Sequence, residues 1–228
     1  MKNIIKQLIK KITCLLYGQK ISELKVSDVK MVSFDIFDTL VLRSVGKPQN
    51  VFFEVEKEYD SIHSVKSQFY ARRLAAERVA RKKACEKEIT IETIYSELKG
   101  YSETQKNELK ELEIAVECET CEPNSEVISV FKKLVGENVD VVITSDMYLP
   151  EEIILRILRK CGIEGERKIY LSSKIGERKS TGSLFDFVIR DSNIYSNEIM
   201  HIGDNAWGDF WVPLHKGMRT FLYLKGGG

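Results

Sequence analysis

The sequence is poor in the residues that interrupt or cross-link chains. Four prolines and 14 glycines are spread over 228 residues, which excludes collagen-like and Gly/Pro-rich linker architectures and leaves long stretches free for regular structure. Histidine occurs only at His63, His201 and His215; none stands at ligand spacing, and His201, inside an apolar run, reads as a core histidine. Five cysteines, Cys14, Cys85, Cys118, Cys121 and Cys161, make an odd and scattered set. With no export signal beside them, they read as reduced thiols in a cytoplasm. The "CETC" at 118–121 has no second CxxC or His pair, so it reads as part of a Glu-rich helix rather than a metal or redox pair. Net charge is nearly absent, at +1 from 35 basic and 34 acidic residues, so no global field draws the chain to nucleic acid.

Long apolar runs are missing as well. In "MKNIIKQLIKKITCLLYGQK", Ile4, Ile5, Leu8, Ile9, Ile12, Leu15 and Leu16 recur at helical spacing while Lys2, Lys6, Lys10 and Lys11 interrupt them. The result is a basic amphipathic helix, expected over residues 1–24, that falls short of the ~20 apolar residues a membrane span needs. Docking on the protein's own body or a partner is the expectation, with contact at the inner face of a membrane as the alternative.

What is present is enough apolar residue, 43% of the chain, for one full core with an inserted lobe. "MVSFDIF" (31–37) is a continuous apolar run of the kind buried on both faces of a parallel sheet. From about residue 50 to 119 the apolar residues recur with period 3.6 and almost no Gly or Pro, so residues 44–121 are expected to form an all-helical lobe. Alternation then returns: a helix near 125–135, strand "DVVITS", helix "PEEIILRILRKCG", strand "KIYLSS", helix "TGSLFDFVIRD", and strands "EIMHIGD" and "TFLYL". The expected fold is α/β: a doubly wound parallel sheet built from 25–43 and 122–228, carrying the helical insert.

Active sites in such sheets form beyond the carboxyl ends of the strands. There the sequence puts Asp35 with Thr39; Thr144, Ser145 and Asp146; Lys174 and Lys179; and Asp204 and Asp209. Several carboxylates, hydroxyls and a lysine at one edge suit a divalent cation and an anionic group. Carboxylate oxygens favour Mg²⁺, which keeps waters and is completed by substrate phosphate, while lysine and hydroxyl orient phosphate oxygens.

The order "FDIFDTL", "VVITSD", "ERKSTGSLF", "IGDNAWGD" resembles the four motifs of the haloacid dehalogenase superfamily, over residues 31 to about 210 with a helical cap between the first two. The resemblance implies a Rossmann-like core and a phosphatase in which Asp35 is the nucleophile, forming an aspartyl-phosphate. It further implies Mg²⁺ held by Asp35, Asp204 and the main-chain carbonyl of Phe37 with Asp209 in support, Ser145 on the phosphate, and Lys179, rather than Lys174, neutralising charge. Thr39 fixes the alignment and, with Thr144, is expected at the substrate. One position departs from the pattern: Phe37 stands where family phosphatases carry a second aspartate as general acid/base, a part worth ~10²–10⁴ in rate. On an extended strand Asp38 would face away from Asp35, so it is expected to be structural unless the chain turns at Phe37. Dehalogenase-type members also lack an acid there and work without metal; the retained "GDNAWGD" favours phosphoryl over carbon–halogen chemistry.

In the lobe, Phe69, Arg73, Ala76 and Glu77, together with "SDMYL", resemble a bacterial subgroup associated with glycosyltransferases of surface polysaccharide synthesis. Arg72 and Arg73 are the cap cations expected to meet substrate. The function expected is that of a cytoplasmic, Mg²⁺-dependent phosphatase for a small phosphorylated metabolite, a sugar or sugar-linked alcohol. The alternative is a catalytically weak module of the same fold that binds a phosphorylated ligand or a glycosyltransferase.

Overall fold

The computed structural model describes residues 2–165 and 167–225, with side chains from residue 7 onward. In chain order the elements are α1 (Lys2–Tyr17), β1 (Gly18–Gln19), β2 (Met31–Phe34), β3 (Val41–Arg43), α2 (Asn50–His63), α3 (Phe69–Ala84), α4 (Ile91–Ser96), α5 (Glu103–Thr120), β4 (Cys121–Pro123), α6 (Ser125–Gly136), β5 (Asp140–Ser145), α7 (Glu151–Lys160), β6 (Ile169–Leu171), α8 (Ser172–Ile175), α9 (Ser183–Ser192), β7 (Ile199–Gly203), α10 (Val212–His215) and β8 (Arg219–Tyr223). A π-helical turn, Ala206–Trp211, leads into α10.

Six strands form one parallel sheet in the order β1-β8-β7-β2-β5-β6. The apolar run of β2 occupies its centre, with Met31, Val32 and Phe34 buried. Phe34 pairs with Ile143 on one side and Ile202 on the other, so the carboxyl ends of β2, β5 and β7 lie within two residues of one another along the sheet. The Asp35 amide donates to the Ile202 carbonyl at 2.9 Å, which carries the alignment one residue past the strand. Asp35, Ser145 and Asp204 therefore leave the sheet together.

The helical lobe, α2–α5, is inserted between β3 and β4, which pair antiparallel beside the main sheet. Ser102 caps α5 by accepting from the Gln105 amide at its hydroxyl, and the Gln105 side-chain oxygen accepts from the Ser102 amide in return, a capping box written in the sequence. The lobe is fixed internally by Arg73 on α3, which is fully buried. It donates from Nε and Nη2 to the Glu113 carboxylate at 2.7 and 2.8 Å and from Nη1 to Glu77 at 3.1 Å. Glu113 also accepts from the hydroxyls of Tyr95 and Tyr148, each at 2.9 Å. Tyr148 follows β5, so this charged cluster joins lobe to core.

Two boundaries differ from the sequence reading. The amino-terminal helix ends at Tyr17 rather than running through the 1–24 unit, and Gly18–Gln19 join the core sheet beside Leu222–Tyr223. A two-residue strand has no period to read. The strand expected over "KIYLSS" stops at Leu171: Ser172 accepts from the Met147 amide at 2.8 Å and Ser173 donates to the Leu149 carbonyl at 2.7 Å. Both hydroxyls serve the neighbouring loop, and the chain turns helical there. Among the described residues no helix is long and apolar enough to cross a membrane.

Candidate active site

The site sits where β2, β5 and β7 end. Lys179, in a short 3₁₀ turn before α9, is buried and places Nζ 2.6 Å from Oδ1 of Asp35 and 2.6 Å from Oδ1 of Asp209. Its loop is held by Asp146, whose Oδ1 accepts from the Lys179 amide at 2.7 Å.

Asp209 is positioned from beneath. Its Oδ1 also meets His201 Nε2 at 3.2 Å, and its Oδ2 accepts from the Asn205 amide at 2.9 Å. His201 Nδ1 lies 2.9 Å from the Ser33 hydroxyl, which donates to Thr144 Oγ1 at 2.8 Å. The Asn205 side chain accepts from the amides of Trp207 and Gly208, starting the π-helical turn that brings Asp209 back over the strand end. A side chain at Gly203 would collide with the Asp209 carboxylate, so glycine is required by close approach rather than by its own torsion.

Asp35, Asp204 and Asp209 each offer an oxygen within 4.8 Å of the others. Three carboxylates thus face one ammonium. Burial, joined by the charge of Asp209, raises Asp35 to about 6 even though Lys179 pulls it down. Burial together with the charges of Asp209 and Asp35 raises Asp204 to about 7. Asp209 goes the other way: burial is outweighed by Lys179 and His201, and it stays below the usual carboxylate range. Burial is likewise outweighed at Lys179, which Asp209 and Asp35 keep protonated, while burial holds His201 below its ordinary value. Asp204 has no ion pair among the described residues, and this uncompensated negative cluster of hard oxygen donors fits a divalent cation.

A cleft of about 710 Å³ opens over these groups. Asp35, Phe37, Ser145, Lys179, Asp204 and Asp209 all line it. Four expected substrate contacts do not. Thr144 precedes Ser145 on a strand, so alternation turns it to the opposite face, against Ser33. Thr39 is buried, with its hydroxyl unpartnered and its carbonyl accepting from Asn124 Nδ2. Arg73 spends its donors on Glu113 and Glu77 inside the lobe, and Arg72 lies at the surface, donating to the Lys99 carbonyl. Lys174 pairs with Glu151 on the outside.

At Asp38 the turn that the sequence left open is present. The chain turns after Phe37, and Asp38 takes a left-handed conformation, φ 59°, with its amide donating to the Val41 carbonyl at 2.8 Å. Strand alternation ends there, and Asp38 lines the same cleft as Asp35. Phe37 lies beneath the Arg43 guanidinium, 4.1 Å from ring centre, and Arg43 is held by Glu117 of α5 at 2.8 Å.

Sequence reasoning missed several cleft residues. Leu74, Glu77, Arg78 and Arg81 line it from α3 and Lys10 from α1. Their i, i+3, i+4, i+7 spacing was a readable signal for one shared face; Lys10 carried none, because its position depends on how α1 docks.

The sequence matches the haloacid dehalogenase-like hydrolase family over residues 29–211. A search of curated protein sequences returns no match. Among solved structures, a dehalogenase with an intermediate complex superposes with a TM-score of 0.61 at 14% identity, covering 90% of this chain and 88% of that one. A HAD family enzyme from Bacteroides thetaiotaomicron gives 0.60 at 17% identity, with 87% and 95% covered. A putative beta-phosphoglucomutase from Thermotoga maritima gives 0.61 at 13% identity, with 88% of each chain covered.

Proposed function

Since the chain belongs to the haloacid dehalogenase-like hydrolases, we propose that it is a Mg²⁺-dependent phosphatase that hydrolyses a small phosphate monoester through an aspartyl-phosphate on Asp35. The observation that carries this reading is the convergence of Asp35, Asp204 and Asp209 within 4.8 Å around a single lysine. A carbon–halogen displacement needs the nucleophile and a lysine but not a third carboxylate without a countercharge.

Asp35 attacks phosphorus, the ester oxygen leaves, and water then cleaves the acyl phosphate, dividing one hard displacement into two easier ones. Lys179 keeps the nucleophile oriented and offsets phosphoryl charge; Ser145 stands at the cleft to donate to a phosphate oxygen. Mg²⁺ held by Asp35, Asp204 and the Phe37 carbonyl, with Asp209 in support, would screen the repulsion between nucleophile and phosphate. The departing oxygen requires a proton, and Asp38, which lines the cleft beyond the turn at Phe37, is the carboxyl proposed to supply it.

Gln49 and Arg78 give the lobe side of the cleft hydrogen-bonding groups, beside a Glu77–Arg81 pair held by Arg73 and Glu88, a surface suited to a hydroxyl-rich leaving group such as a sugar or sugar-linked alcohol. The proposed place in surface-glycan synthesis, beside a cytoplasmic glycosyltransferase as partner, rests on the sequence resemblance of Phe69, Arg73, Ala76, Glu77 and "SDMYL" alone. Phe37 favours one other reading, a module that binds a phosphorylated ligand without turnover. Phosphate release from a panel of sugar phosphates, with and without EDTA, separates the two. The phosphatase requires metal-dependent release that Asp35→Asn abolishes with the fold intact; binding without release in every case would establish the module.

A further inference from the structure

Helix α1 docks on the core with the wrong face for an ordinary surface helix. The contacts run through Thr13, which is buried and accepts from Trp211 Nε1 at 3.0 Å, through Cys14, and through Tyr17, whose ring lies 5.1 Å from Phe210 and 5.7 Å from Trp211. Leu8, Ile9, Ile12, Leu15 and Leu16 are all exposed, Leu15 at 84% and Leu16 at 66%, and Ile9, at the edge of the stripe, also reaches the core beside Trp207 and Trp211. At 100° per residue these five fall within about a third of the helix circumference, with Cys14 and Tyr17 on the far side and Thr13 next to the stripe's Ile9 edge. A helix that merely covered the core would bury this stripe and leave the polar side in water.

We infer that α1 is a lipid-docking helix that lies in the surface of an anionic bilayer. Charge identifies the occupant. The helix carries Lys2, Lys6, Lys10 and Lys11 and no acidic residue, whereas the rest of the chain holds three more acidic than basic residues. The sequence's excess positive charge is therefore concentrated on the one element with an exposed apolar stripe, with Lys11 exposed beside Leu15 and Lys10 at the cleft, a pattern suited to anionic headgroups. The stripe is wholly aliphatic, suited to the boundary of the acyl chains, and lacks the Arg and aromatic anchors that enrich protein interfaces. Sixteen residues span about 24 Å of helix, enough to lie along the surface and, interrupted by lysine, unable to cross.

Docking also orients the site. Lys10 lines the catalytic cleft, and Ile9 and Lys10 share an apolar hollow of about 510 Å³ with Trp207 and Trp211. Trp207, 58% exposed, lines both the catalytic cleft and the hollow beside Ile9.

The test is co-sedimentation of the full chain with vesicles of equimolar phosphatidylglycerol and phosphatidylcholine, set against phosphatidylcholine alone; it reads no turnover and stands apart from the phosphatase assignment. The protein should sediment with the anionic vesicles only, and be released between about 0.1 and 0.5 M salt as screening tightens. Leu15→Gln with Leu16→Gln should reduce partitioning at least tenfold while circular dichroism and melting stay as in the parent, because both side chains already face solvent. Lys11→Gln should weaken it about fivefold. Failure to sediment with anionic vesicles overturns the inference, as does undiminished binding by the double variant. Concentration-dependent self-association that the double variant abolishes, without lipid binding, would assign the stripe to a second copy instead.

Discussion

Lys179 Nζ sits 2.6 Å from Asp35 and 2.6 Å from Asp209, so one ammonium is divided between the proposed nucleophile and a carboxylate that enters from the far side of the π-helical turn. Each acid depends on the other's hold on the lysine. Lys179→Met removes the attraction that lowers Asp35 and leaves the repulsion from Asp209. The acid limb of the pH–rate profile should move to higher pH, and kcat should fall about 10²–10³-fold, as for loss of a preorganised charge. A fall in rate with an unmoved acid limb would deny Lys179 its part in setting the nucleophile's ionisation.

Metal binding should be steeply dependent on pH. Burial raises Asp35 to about 6 and Asp204 to about 7, so each takes up a proton in the metal-free protein as pH falls through that window, and a cation must displace it. The Mg²⁺ concentration for half-activity should drop at least about tenfold from pH 5.5 to 7.5, and Asp204→Asn should raise it at every pH. The stability sign follows from the same shifts. Carboxyls raised on folding favour the folded state while protonated, so the metal-free protein should lose stability as pH climbs from about 4 through 7. Melting curves with and without Mg²⁺ should diverge over that range.

The strand ends were legible because buried parallel strands read as continuous apolar runs, and a carboxylate placed just after one has few uses other than chemistry. Together with the four-motif resemblance, that logic pointed to Asp35, Ser145, Lys179, Asp204 and Asp209, all of which line the cleft. It failed where the answer lay across space. Arg73 and Glu113 are forty residues apart on different helices, and nothing local announces that a helix arginine will be consumed inside the lobe. Thr144 was a readable error, since its neighbour Ser145 was already assigned to the cleft and strand alternation sends the two to opposite faces. The turn at Phe37 was not readable, because it rests on a positive φ at Asp38, which aspartate tolerates without requiring.

The charged cluster in the lobe makes a stability prediction. Arg73→Met leaves the buried Glu113 carboxylate with only tyrosine donors, and should cost about 3–5 kcal/mol in urea unfolding, the usual penalty for stranding one partner of a buried pair. Combining it with Glu113→Leu should recover much of that loss. For the molecules that remain folded KM should be little changed, because Arg73 does not reach the cleft; a selective rise in KM would return it to the substrate.

Asp38 gives the sharpest test of how the site works without an acid at position 37. Its left-handed backbone suits asparagine as well as aspartate, so Asp38→Asn should leave melting almost unchanged and isolate the chemistry. If the carboxyl protonates the departing oxygen, an alkyl phosphate should lose about 10²–10³-fold in kcat/KM, while an aryl phosphate whose phenolate leaves unaided should lose less than about tenfold. Arg43, 3.9 Å from the Asp38 carboxylate and fixed by Glu117, could make Asp38 a structural anchor instead. In that case both substrates would fall together, and Arg43→Met would reproduce the loss. A selective collapse on the alkyl ester, absent in Arg43→Met, makes Asp38 the acid and explains how a phenylalanine is tolerated beside the nucleophile.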